Sequence, residues 1–360
     1  MRLISVDRIN SDDKLGKSIY SADAALLLSA GVTISPSMIN SLKKNNIYYI
    51  YVEDGLSDGI IPTSIIPDAY KVQAVAKVEK IMRKSFTQVN SSKNKCLDSS
   101  SIKEFRTMIN DIFDMLSAMP DRLYNMVELM GTDMYTYSHS VNVAVLSIVV
   151  GLALNMDREK IHHMSIGALM HDIGKLHIPD DLLMKPEGLS HSEFEQMKDH
   201  VSIGYDLVKD DISLSGITKQ IVYGHHERLD GTGYPRSLKE DQISIYTRTV
   251  SICDMFDAMT SDRIYQKRTP VYKTLDIMMA EAVHRIDTNI LKVFIENVAI
   301  YKPGETVLLE DGRKGIVVDV RKGYATRPIV RIIEDQLNQK PYEIDLKYDL
   351  SVFIKETVER

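Results

Sequence analysis

Between Thr132 and about Val298 the chain reads as helix after helix, and its apolar runs repeatedly enclose an imidazole or a carboxylate. His139 heads the strongly apolar run Val141 to Leu154. His171-Asp172 closes the run Ile161 to Met170, with Gly174 read as a helix stop. His200 lies in a helix whose start, Ser190 with Glu193, has capping-box spacing. It flanks the stripe Phe194, Met197, Val201 and Val208, so it can face a neighbouring helix. His225-His226 follow Ile217, Ile221 and Val222 and precede the Gly-rich stretch Asp230-Gly231-Thr232-Gly233-Tyr234-Pro235. Adjacent helical residues point about 100° apart, so these two imidazoles converge only where a helix ends. Asp254 and Asp257 share a face with Val250, opposite the row Ile245, Ile252, Phe256 and Met259. A buried carboxylate is costly without a partner, and a cation is the simplest one.

Imidazole and carboxylate without thiolate are the ligands of Fe, Mn, Zn or Ni in open catalytic sites. One aspartate can bridge two such ions, the arrangement that clamps an in-line phosphoryl displacement. Each histidine alone is more often an ordinary core or surface residue, but the order H…HD…H…HH…D within one helical region points to a shared centre. His162, His163, His177, His191 and His284 lack that context and are assigned ordinary roles. Only Cys96 and Cys253 are present, far apart and outside any C-x-x-C pair, which excludes a disulfide scaffold and a cysteine zinc module. The start MRLISVDRIN has no apolar h-region, and Val143 to Leu154 falls short of the ~20 residues that span a bilayer. The expectation is a soluble cytoplasmic protein with no membrane partner. A net charge of -6 with scattered Lys and Arg argues against a nucleic-acid polymer as substrate.

The flanks differ in kind. Residues 1–66 read as a β-rich sensory or interaction module, with a short helix Ser37 to Lys44 and a strand Ile47 to Val52. Residues 67–130 read as a helical linker that starts at Pro67-Asp68 and is interrupted by a polar loop, Thr87 to Ser100. There Ser101 and Glu104 have capping-box spacing, and Ile102, Phe105, Ile109, Ile112 and Leu116 form a narrow stripe. That stripe predicts a homodimer seam, with ordinary packing inside the chain as the alternative. Residues 131–300 form the helical domain, and 301–360 a small β module with strands at 306–309, 315–320 and 329–333 and a hairpin turn at Asp311-Gly312.

The stretches His171-Asp172-Ile173-Gly174-Lys175 and His225-His226-Glu227-Arg228-Leu229-Asp230-Gly231-Thr232-Gly233-Tyr234-Pro235 resemble the HD-GYP subfamily of HD-domain phosphohydrolases. Tyr135 to Ser140 and Asp254 to Arg263 match its flanking motifs, and the resemblance covers about residues 131–300. It implies a mainly α protein, an all-helical HD-type metal-dependent phosphohydrolase domain with small β-rich modules at both ends. It implies hydrolysis of cyclic di-GMP to pGpG, GMP or both by hydroxide activated between two metals. The implied ligands are His139, His171, Asp172, His200, His225, His226 and Asp254, with Asp172 bridging. Lys175 would reach the scissile phosphate. Asp133, Asp257, Arg263 and Lys267 would contact substrate, and Gly233, Tyr234 and Pro235 would shape the pocket wall.

Two departures from the pattern matter. Three-metal members place a Glu four residues before the first His; here it is Tyr135, so two divalent ions are expected, iron first, with Mn, Ni or Zn as alternatives. Three residues after Arg263, where a basic residue often helps hold phosphates, stands Gln266. The competing functions are a non-catalytic cyclic di-GMP receptor or protein-interaction module, and a phosphohydrolase acting on another cyclic dinucleotide or a nucleotide. Protein partners are expected at the terminal modules.

Overall fold

A computed structural model describes all residues except 11, 22–24, 46, 63, 92–97, 120–122, 125–134, 184, 186–187, 262–268, 336–339 and 359–360, and describes residues 86–91 and 135 by backbone alone. At the start of the chain come β1 (Arg2–Ser5), β2 (Lys14–Leu15), β3 (Ile19–Tyr20), β4 (Leu26–Leu28), α1 (Pro36–Lys44) and β5 (Tyr49–Glu53). β5 lies between β1 and β2 in an antiparallel sheet, and β3 pairs with β4. Alternation does not govern β5: Ile50, Tyr51 and Val52 are all buried because the strand is central. Pro36 opens α1 behind the Ser35 cap, a position where its missing N–H costs nothing.

The linker helices are α2 (Asp68–Ser91) and α3 (Ser99–Ser117). The expected polar loop therefore shrinks: α2 continues to Ser91, and residues 92–97 lie outside the described residues. The cap of α3 is Asp98, whose Oδ1 accepts the Ser101 N–H at 2.8 Å, whereas Ser101 itself is buried a turn into the helix. The stripe Ile102, Phe105, Ile109, Ile112 and Leu116 is at most 4% exposed and belongs to the main core of its own chain. The seam expected for a homodimer is thus occupied from within.

Next come α4 (Tyr135–Ala153), α5 (Arg158–Met170), α6 (Asp180–Leu183), α7 (His191–Val208), α8 (Gly216–Gly224), α9 (Ile245–Thr260), α10 (Val271–Glu281) and α11 (Thr288–Asn297). α4 is the central helix, packed against α2, α5, α9 and α11. Its apolar residues wrap the whole circumference, as a helix enclosed on all sides requires, and Val143, Ala144, Leu146, Ile148 and Val150 are fully buried. Each large aliphatic among them contributes about 1.5–3 kcal/mol by leaving water. The window Thr136–Ala153 is long and apolar enough to cross a membrane, yet 72% of it is buried inside this fold.

The chain closes with β6 (Thr306–Leu309), β7 (Lys314–Asp319), β8 (Ile329–Glu334), β9 (Tyr342–Asp345) and β10 (Ile354–Thr357) in an antiparallel sheet of order β10-β6-β7-β8-β9. The turn between β6 and β7 falls at Asp311-Gly312, as its composition predicts. The two ends of the chain meet. Leu3 N donates to Gly304 O at 2.8 Å, the Tyr51 hydroxyl donates to Pro303 O at 3.3 Å, and Arg331 donates to Asp58 O at 2.6 Å. The fold is mainly α, with β sheets in its N- and C-terminal regions.

Candidate metal centre

Five helices and their ends deliver the side chains. His139 stands in the second turn of α4, and Asp254 and Asp257 stand on α9 beside it. His171 is the C-cap of α5, followed by Asp172 and a tight turn, Ile173–His177, that bears Lys175. His200 is on α7. His225 is the C-cap of α8 and His226 the next residue, so the helix does end where the two imidazoles must converge. Their ring centroids are 4.1 Å apart.

These residues form two groups around one aspartate: His139, His171 and Asp254, and Asp172, His200, His225 and His226. Asp172 Oδ2 faces His171 Nε2 at 3.2 Å and His139 Nε2 at 3.8 Å. Its Oδ1 faces His200 Nε2 at 3.4 Å and His225 Nε2 at 3.8 Å. One carboxylate therefore spans both groups. Asp254 Oδ1 completes the first, 3.1 Å from His139 Nε2.

Hydrogen bonds decide the tautomers. The Nδ1–H groups of His171, His200 and His225 donate to the carbonyls of Ala168, Met197 and Ile221, at 2.7, 2.6 and 3.2 Å. A carbonyl can only accept, so each Nε2 is left as a lone pair. His200 Nε2 and His225 Nε2 then face one another at 3.4 Å, two acceptors with no proton between them. His171 Nε2 and Asp172 Oδ1 are buried and make no hydrogen bond. Such lone pairs, aimed at one another in a buried space, fit a bound cation and little else. His139 is held through Nδ1 by Asp257 Oδ2 at 2.6 Å, the carboxylate–histidine pairing that orients a metal-ligating imidazole.

The electrostatics agree for three of the four imidazoles they shift in this centre. Burial pushes His226 down to about 3, with His200 adding to the effect against the pull of Asp254. Burial likewise lowers His200 and, helped by His226 and His171, holds His225 well below the usual imidazole range. These three are neutral, as metal ligands must be. Burial opposes ionisation of Asp172, but the positive charge gathered beside it, that of Lys175 above all, outweighs it and keeps the carboxyl well below its ordinary range. Burial also opposes the charged form of His139; Asp254 and Asp257 overcome it and raise this imidazole to about 9, so a cation bound here would have to displace its Nε2 proton.

Lys175 Nζ lies 2.6 Å from Asp172 Oδ2, with its side chain 26% exposed at the mouth of the centre. Tyr234 stacks on His226, centroids 4.7 Å apart at 28°, as a wall residue would. Asp257, expected to contact substrate, is fully buried with its oxygen on His139; it supports a ligand and does not face the pocket. Asp133, Arg263 and Lys267 lie outside the described residues. None of His162, His163, His177, His191 and His284 joins a ligand group among the described residues; His162 bonds Asn110 at 2.6 Å instead.

Two structural residues escaped the sequence reading. Glu227 is 3% exposed, and its carboxylate accepts the N–H groups of Arg236 and Leu238 at 2.8 and 2.9 Å, pinning the loop that presents Tyr234. A Cβ on Gly174 would sit 1.9 Å from His200 O, so this glycine lets α7 touch the 173–177 turn; it is not a helix stop. An acidic residue directly after a histidine pair was the available signal for the first, and nothing local signals the second.

A helical domain that gathers histidines and aspartates from five helices around a bridging His-Asp dipeptide is the architecture of the HD type. Residues 112–290 match the HD domain family, and residues 306–360 match a KOW domain associated with HD domain. Residues 112–290 are thus an HD domain, and the dipeptide His171-Asp172 lies within it. A cyclic di-GMP phosphodiesterase of Pseudomonas aeruginosa is 34% identical over 236 residues, covering 64% of this chain and 57% of that protein. Another, of Thermotoga maritima, is 37% identical over 157 residues, covering 42% and 43%. The chain thus spans about half the length of these curated relatives. Among solved structures, Bd1817, an HDGYP protein from Bdellovibrio bacteriovorus, shares the fold with a TM-score of 0.52 at 17% identity, over 81% of this chain and 97% of that one.

Proposed function

We propose that this chain is a metal-dependent phosphodiesterase that hydrolyses cyclic di-GMP to pGpG, GMP or both. The observation that carries the reading is Asp172, whose two oxygens face two separate groups of imidazole lone pairs. His139, His171, Asp172 and Asp254 would hold one ion, and Asp172, His200, His225 and His226 the other; two ions are expected because Tyr135 stands where a third would find its carboxylate. Iron is the first choice for this nitrogen and oxygen set, with Mn, Ni or Zn as alternatives. Bound there, divalent ions supply Lewis acidity towards the diester and make water ionisable near neutral pH.

The chain's own groups do the rest. Asp257 keeps the His139 ring turned towards the centre. Lys175 stands at the mouth, where its ammonium neutralises charge growing on non-bridging phosphoryl oxygens. The loop of Gly233, Tyr234 and Pro235 closes one wall, and Asp133, Arg263 and Lys267 are the substrate contacts proposed from sequence. A complete ligand set supports catalysis over a non-catalytic receptor. The division into 1–66, 67–130, 131–300 and 301–360, protein partners at the terminal modules and a cytoplasmic location belong to the same proposal.

The test is hydrolysis of a panel of cyclic dinucleotides by purified protein of known metal content. Expected are two ions per chain, turnover of cyclic di-GMP, and an Asp172→Ala variant that loses turnover together with at least one ion. A metal-loaded wild type that binds cyclic di-GMP and leaves it intact would overturn the enzyme reading in favour of a receptor.

A further inference from the structure

α7 exposes an aromatic ring that the centre described above does not use. Phe194 is 45% exposed and lies six residues before His200, about 9 Å along the helix at 1.5 Å per residue. The Lys198 ammonium sits over the Phe194 ring, 4.9 Å from its centroid, and 5.4 Å from the centroid of Tyr234. Tyr234 is itself stacked on His226. A continuous series therefore runs from a metal-ligating imidazole through Tyr234 and Lys198 to an open phenyl face. A single exposed Phe is unremarkable on its own; this one is joined through a cation to the rim of a candidate site. Lys198 also pairs with Glu195 at 2.7 Å, an exposed bridge within one helix turn, which is weak enough to yield to a ligand.

Resting on the phosphodiesterase reading, we propose that Phe194 and Lys198 form the base-recognition edge of the site: a purine of the cyclic dinucleotide stacks on Phe194, and Lys198, swung from above that ring as the base seats, donates to the purine's N7 and O6 edge. A diester seated at the metals leaves its bases projecting away from them, and any base offers a π-face to an aromatic ring. The edge selects among purines. Guanine presents two acceptors there, N7 and O6, whereas adenine presents N7 beside its N6 donor. An ammonium can donate to both guanine atoms and to only one of adenine, so α7 favours guanine.

The experiment compares kcat/KM for cyclic di-GMP, cyclic di-AMP and methyl para-nitrophenyl phosphate, a diester without a purine, in metal-loaded wild type, Phe194→Ala, Phe194→Tyr and Lys198→Met. In Phe194→Ala the ratio of cyclic di-GMP to the simple diester falls about tenfold, as loss of one base–aromatic stack requires, and Phe194→Tyr restores it. In Lys198→Met the preference for cyclic di-GMP over cyclic di-AMP falls about fivefold or more. An unchanged ratio in Phe194→Ala, in an enzyme active on cyclic di-GMP, overturns the subsite alone. A wild type that cleaves the simple diester and no dinucleotide overturns the functional reading, and this subsite with it.

Discussion

His139 is gripped at both ring nitrogens, by Asp257 through Nδ1 and by Asp254 through Nε2, and the two contacts differ in kind. Asp254 belongs to a ligand group, whereas Asp257 is sealed behind the ring. If Asp257 acts by orienting His139, Asp257→Asn weakens metal binding about 10–100-fold, the usual effect of losing such a support. KM of enzyme saturated with metal should hardly move. Metal titration beside substrate kinetics separates the roles: unchanged metal affinity with a raised KM would restore Asp257 to the substrate. Sequence pattern placed Asp254 and Asp257 on one face correctly. It could not say which would reach the centre and which the back of an imidazole, because that depends on how deeply α9 packs against α4. The clustering histidines were legible for the opposite reason: each heads, closes or flanks an apolar run or stripe, and that is visible in one dimension.

Helix ends and close approaches, one scale up, assemble the centre. Two capping boxes with the same spacing had different outcomes. Ser190 and Glu193 do cap α7, reciprocally, while Ser101 yields to Asp98 because the helix extends another turn and takes Ser101 into the core. Spacing proposes a cap; the reach of the apolar face decides among candidates. Gly174 is a sharper case. Its contact is with the backbone of α7, 26 residues on, which no local pattern contains. Replacing it with Ala places a methyl 1.9 Å from His200 O and 2.7 Å from Gly204 N, both backbone atoms that no rotamer change can clear. α7 must shift, and His200 with it. The expected result is a cost of about 1–3 kcal/mol or more from overpacking, read as a lower thermal midpoint, with selective loss of the ion held by His200, His225 and His226. Retention of both ions and of the wild-type midpoint would mean that the 173–177 turn does not hold α7 in register.

For the molecule as a whole, the meeting of the chain's two ends matters more than the linker stripe. The narrow apolar row on α3 left a seam and internal packing both open in sequence because the helices that cover it, α4 and α5, come later in the chain. The N-terminal module, in turn, is bonded both to the C-terminal sheet and, through Lys17 and Asp68 at 3.1 Å, to the first turn of α2. That module therefore contacts the rest of the chain at two places. Arg331 is the side chain best placed to test the closure. It rises from β8, holds Glu343 on β9 at 2.8 Å, and donates to the carbonyls of Leu56 and Asp58 at 3.4 and 2.6 Å. Its guanidinium, half enclosed by these partners, is the charge-assisted link between segments more than 270 residues apart. Arg331→Ala should cost about 1–2 kcal/mol, at or below the low end for hydrogen bonds to a charged donor because these are solvent-exposed. It should also loosen the junction locally, so that the Leu3 amide, which bonds Gly304 O, exchanges its hydrogen faster while the amides of α4 keep their protection. Hydrogen exchange followed at those two places reads the effect directly. If Leu3 keeps its protection in the variant, the ends are held by their backbone bonds and apolar contact alone, and Arg331 is not the clasp.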